Sequence, residues 1–134
     1  MATQQICNLA ITTAVTGSIQ TIYKGFSSPQ ALTIQAKFTY VASAATSVDA
    51  YVQTTIDGTV WIDIAEFRFT TSSSTVVVNL SGLSTVTTPA AITSGSMTAN
   101  TTQQGVLGDQ YRVVVTSVGT YGAGTTLAID VAAR

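Results

Sequence analysis

Six carboxylates and one thiol are the side chains here with the potential for chemistry: Asp49, Asp57, Asp63, Glu66, Asp109, Asp130 and Cys7. Two carboxylates flanking a sugar can hydrolyse a glycoside, and grouped carboxylates can supply the oxygens of a calcium site. The spacing supports neither. Asp57 and Asp109 each stand beside a glycine, Gly58 and Gly108, where an aspartate serves a turn by bonding its own backbone. No Asp-x-Asp-x-Asp-Gly run occurs. The chain has no histidine, the side chain most often used for proton transfer near neutral pH, so its hydroxyls lack the usual activating base. Cys7 is the single cysteine and falls on the apolar parity of a strand, which predicts a buried structural thiol. No catalytic residue, metal ligand set or cofactor motif emerges, and the expectation is a protein that is not an enzyme.

The elements that would position these groups are strands. Leu32, Ile34, Ala36, Phe38 and Tyr40 share one parity, against Thr33, Gln35, Lys37 and Thr39 on the other. A period of two over ten residues means one buried and one wet face. Cys7, Leu9, Ile11 and Val15 oppose Asn8, Thr12 and Thr16 in the same way, and 19–24 is a shorter candidate ended by Gly25 and Pro29. Val48, Ala50 and Val52 alternate with Asp49, Tyr51 and Gln53 before the Asp57-Gly58 turn. On the return, 60–70, the apolar parity slips from Ile62 and Ile64 to Phe67 and Phe69. A β-bulge between Asp63 and Glu66 reconciles them; a strand packed on both faces is the alternative. Segments 75–80, 111–116 and 127–131 complete the set, the last two joined by the glycine-bearing turn 120–124. The expectation is a single all-β domain over 1–134, an antiparallel β-sandwich of the Ig-like or jelly-roll-like kind with about seven or eight strands and little or no helix. Residues 81–105 lack any period and are expected to form a long irregular loop or an arm.

Composition narrows the function. Charged residues make up 8% of the chain, against about 25% in an ordinary soluble domain. A free monomer uses charge to keep its surface and strand edges from associating, so this scarcity predicts a homo-oligomer or a surface covered by partners. Lys24, Lys37, Arg68, Arg112 and Arg134 are dispersed and the net charge is −1, which argues against nucleic acid. No apolar run approaches the roughly 20 residues that span a bilayer, and the first residues lack the basic start of a secretory signal. Synthesis in the cytoplasm without a signal peptide is the expectation.

Two resemblances attach to the central block. Thr55-Ile56-Asp57-Gly58-Thr59-Val60-Trp61 resembles the Asp-box turn of sialidase-type propellers, though it lacks the residue usually found between Asp and Gly; in those proteins the turn is structural. Val48-Asp49-Ala50-Tyr51-Val52-Gln53-Thr54-Thr55-Ile56-Asp57-Gly58, followed by Trp61-Ile62-Asp63-Ile64-Ala65, resembles a stretch in small virion proteins of tailed bacteriophages, and Gly108 to Arg134 has the same character. That resemblance implies a virion structural protein whose partners are the major capsid protein or other virion proteins. Capsid decoration is the favoured role, with a head–tail connector or tail component as alternatives. Residues 81–105, and secondarily 2–5, are then candidate intersubunit arms. The competing class is a carbohydrate-binding module or host-adhesion protein stacking sugar on Trp61 and an exposed Tyr51. A structural role is expected for Asp57, Gly58 and Trp61 in their hairpin, and for Asp109 and Tyr111 at the approach to a late strand, where the Tyr hydroxyl either tethers a corner or is a plain strand residue.

Overall fold

Alternation of apolar and polar residues produces strands wherever it runs unbroken. The computed structural model describes residues 2–42 and 45–134. Eight strands follow in chain order: β1 (Ala2–Ala10), β2 (Ser18–Ile19), β3 (Ala31–Thr39), β4 (Ala45–Thr55), β5 (Trp61–Phe69), β6 (Ser74–Ser81), β7 (Gln110–Gly119) and β8 (Thr126–Ala133). No helix occurs among the described residues.

The strands form two antiparallel sheets, β1-β8-β3-β6 and β2-β7-β4-β5. First pairs with last, second with seventh, third with sixth and fourth with fifth. This nested order is that of an eight-stranded jelly roll rather than an immunoglobulin sandwich. The inner face of the first sheet carries Leu32, Ile34 and Phe38 from β3 and Leu127, Ile129 and Val131 from β8, all buried. Val52, Phe67, Phe69, Val113 and Val115 meet them from the second sheet. Phe38 and Phe69 stack across the gap with ring centroids 5.1 Å apart. Full burial of each such side chain contributes about 1.5–3 kcal/mol.

The parity slip in β5 is a bulge. Val52 pairs with Ala65 and Gln53 with Asp63, so Ile64 is the extra residue, fully buried. β5 is also packed on both faces, so both expectations for the slip hold together. A second bulge at Ile6 displaces β1 between Gln5 and Cys7. The segment 19–24 is less regular than its pattern: only Ser18–Ile19 forms a strand, and Tyr23 returns to β7 through an isolated bridge with Tyr111. Between them the Gln20 N–H donates to the Val113 carbonyl, so the segment follows β7 with gaps rather than as a continuous ladder.

Candidate functional site

The Ile64 bulge decides what the outer face of the second sheet can do. Without it Asp63 and Glu66 would point to opposite faces, being an odd number of residues apart. With it, Asp63 lies beside Gln53 and Glu66 beside Tyr51 on one outer face, together with Asp49, Thr55 and Arg112. An outer sheet face is normally wet. Here Asp49, Tyr51, Gln53, Thr55, Asp63 and Glu66 are all buried.

Residues 93–104 are what closes over it. Asp63 N–H donates to the Thr93 carbonyl (2.8 Å), Glu66 N–H to Thr101 (3.0 Å), and Gln103 N–H to Ile64 (2.8 Å). The Asp63 carboxylate accepts backbone N–H groups from Gly95, Ser96 and Met97 and the amide of Gln53. Successive N–H groups in a turn make a concave anion cradle, and this chain fills its own cradle with its own carboxylate. Glu66 Oε2 accepts from Asn100 N–H at 2.6 Å. Asn100 Oδ1 accepts from Arg68 N–H, and Gln104 bonds the edge of β6 at Asn79 and Ser81. The segment expected to be a loop or arm is thus irregular but lies along its own domain, where it caps the unpaired edge of β5 as edge strands require. Residues 2–5 do not project either; they pair with β8.

Glu66 is the most perturbed acid. Burial, then its hydrogen bond to Asp49, pushes its carboxyl up from 4.5 to about 8. Oε1 meets no donor, and a carboxyl held this high keeps its proton at pH values where an ordinary glutamate has lost it. Asp49 in turn holds Arg68 Nε at 2.7 Å. A raised carboxyl beside a second one suits general acid catalysis when it lines a cleft. Glu66 is 2% exposed, and the depression beside it is lined by Arg68, Phe69, Asn100 and other residues that include no carboxylate. The pair is a structural clasp on residues 93–104. Among the described residues no three His, Cys, Asp or Glu side chains gather into a metal site.

Asp57, Gly58, Trp61, Asp109 and Tyr111 sit at the end of the sandwich near the β4–β5 hairpin. Asp57 caps that turn, accepting N–H groups from Thr59 and Val60 at 2.8 Å, and these bonds hold its carboxyl down at about 2. Gly58 supplies the positive φ of 83°. Trp61 is half-buried with the Arg112 guanidinium 4.2 Å over its ring, so one face of the indole is already occupied. Tyr51 corrects the expectation of an exposed stacking platform: at 9% exposure it lies within the covered sheet face, because the Ile64 bulge and residues 93–104 roof its row. Tyr111 Oη donates to the Gly108 carbonyl at 2.7 Å, and Gly108 N–H donates to Thr54 Oγ1, a tether of the corner that enters β7. Asp109 stands exposed in that corner. Cys7 is buried, with its thiol pushed up to about 12 by desolvation.

No family model, curated protein or solved structure matches this chain. Its surfaces therefore have to speak for its function. Near the hairpin end, Ile56 (73% exposed), Val60, Leu83 (72%), Val86 and Ile92 face solvent. Gly105 abuts Ser84 and Val86 while Gly108 abuts Thr55, which brings the stretch around Val86 toward the β4–β5 turn; Ile19, Ile22, Val41, Val77 and Val118 are exposed as well. Sequence reasoning missed this patch because 81–105 has no periodicity to place its aliphatic residues. The polar clasp left a partial signal: Asp63 and Glu66 fall where the apolar parity of 60–70 slips, whereas Asp49 and Gln53 read as ordinary outward positions.

Proposed function

We propose that this chain is a structural protein of a bacteriophage virion, made in the host cytoplasm, that decorates and stabilises the capsid in many copies. The observation that carries the proposal is the nature of its surface. Large aliphatic residues are exposed in several places, including the β4–β5 turn and 83–92, charge is scarce, and the one strongly perturbed acid is sealed away from solvent. Such a surface suits docking by shape. Repetition on a symmetric lattice multiplies a modest contact, so each interface needs little charge. The resemblance of 48–65 to phage virion proteins supports the same reading. By analogy of fold alone, jelly rolls recur in viral capsids and in lectins. The carbohydrate-binding reading is the weaker of the two, since Arg112 covers one face of Trp61 and Tyr51 is buried.

Quantitative mass spectrometry of purified particles tests the proposal, with the major capsid protein as internal standard. Hundreds of copies per particle are expected. A few dozen or fewer would move the protein to the connector or tail, and its absence from particles would refute a virion role. Introducing Leu83→Asp with Ile92→Asp should lower occupancy if the apolar end is the docking face.

A further inference from the structure

The two sheets differ in how their outer faces are treated. Residues 93–104 roof the second sheet, whereas nothing in the chain covers the first: none of the side chains that β1, β8, β3 and β6 present outward is buried. This bare face mixes small residues such as Thr3, Thr33, Ala128 and Ala132 with the amides of Gln5, Asn8, Gln35 and Asn79, and Val77 is 57% exposed near one edge. It carries two charges. Asp130 on β8 pairs opposite Gln35, and Lys37 on β3 pairs opposite Ala128, so they are diagonal neighbours on the two central strands. Neither forms an ion pair within the chain among the described residues.

We infer that the outer face of the β1-β8-β3-β6 sheet is a twofold homodimer interface, in which Lys37 of each copy pairs with Asp130 of the other. An isologous contact requires a surface that is complementary to itself, residue i meeting j while j meets i. One cation and one anion satisfy this when the twofold lies in the plane of contact and bisects the line between them. That line crosses the two central strands near mid-length, so the axis runs through the middle of the face and the two sheets overlap almost completely. With strands about 4.8 Å apart and a two-residue step of about 6.7 Å, the strands of the two copies cross at about 70°, close to the orthogonal class of sheet packing. Gln35, opposite Asp130 at the centre of the face, offers an amide for hydrogen bonds across it. A face of about 20 by 25 Å buries on the order of 1,000 Å² in the pair, the lower range for a specific interface. The inference goes beyond the virion proposal and stands on the isolated chain in solution.

Sedimentation equilibrium on the full chain tests it, with Lys37→Asp, Asp130→Lys, the double exchange, and an equimolar mixture of the two single variants. The wild type should dimerise in the micromolar range. Each single variant places like charges opposite one another twice and should raise the dissociation constant about tenfold or more. The double exchange and the mixture both restore opposite charges at both contacts and should regain dimers, the mixture as heterodimers. Circular dichroism and Trp61 fluorescence report folding of every variant. A wild type that stays monomeric at hundreds of micromolar would overturn the inference, as would single variants that dimerise as tightly as wild type or a mixture that stays monomeric.

Discussion

Replacing Glu66 by glutamine should remove most of the pH dependence of folding between pH 5 and pH 8. In the folded chain the carboxyl is held up at about 8, by burial first and by the hydrogen bond to Asp49 second, against an ordinary value of 4.5. Between those values the native state keeps the proton that the unfolded chain releases. Stability is therefore full below pH 4.5, falls as pH rises, and levels off above about 8. The limiting slope is about 1.4 kcal/mol per pH unit, and the loss between pH 5 and pH 8 is about 3–4 kcal/mol. The chain has no histidine and Asp57, held at about 2, titrates well below this window; the α-amino group, near 8, is common to both proteins and cancels in the comparison. Glutamine reproduces the neutral acid: its oxygen can accept from Asn100 N–H and its NH₂ can donate to Asp49. Urea denaturation of both proteins at unit intervals from pH 5 to pH 8, with unchanged m-values, provides the comparison. The variant should match wild type at pH 5 and exceed it by about 3–4 kcal/mol at pH 8. Parallel pH profiles for the two proteins would refute the assignment of a proton to Glu66.

Three further outcomes follow from the geometry. Asp63→Ala empties the cradle formed by the Gly95, Ser96 and Met97 N–H groups, so native-state hydrogen exchange should accelerate at those amides while β3 and β8 stay protected. Gly108→Ala places a methyl group about 2.0 Å from the Thr55 carbonyl oxygen and should cost about 2 kcal/mol or more in chemical denaturation. Cys7 should resist a thiol reagent such as DTNB in the native protein at pH 8 and react on unfolding, since burial holds the thiol at about 12.

The sheet strands were legible wherever alternation was strict. β3, β6 and β8 sit within a residue or two of their pattern, and the slip between Ile64 and Phe67 announced the bulge. What alternation cannot carry is which strands pair, because period two is the same for every partner; the choice of jelly roll over immunoglobulin order comes from long-range packing. The site was legible only in pieces. Asp63 and Glu66 are visibly out of place among Ile62, Ile64 and Phe67, yet their common face depends on a bulge. Their burial depends on 93–104, a segment whose Ser, Thr and Gly carry no signal until the edge of β5 exists to receive their backbone. Tyr51 failed for the same reason: its parity makes it outward-facing, and only the roof makes it buried.

The nested pairing also governs the order in which this chain can assemble. The β4–β5 hairpin closes through a five-residue turn and can form as soon as it is synthesised, but each surrounding pair must span a longer loop. Ala2 pairs with Ala133, so β1 has no ladder partner until β8 has been synthesised. Loop closure adds only modestly to the free-energy cost of each step, but such distant pairings slow folding. Until β8 is made, β1 is an unpaired strand whose Ile6, Cys7 and Leu9 await cover, which makes it the element longest exposed to wrong pairings.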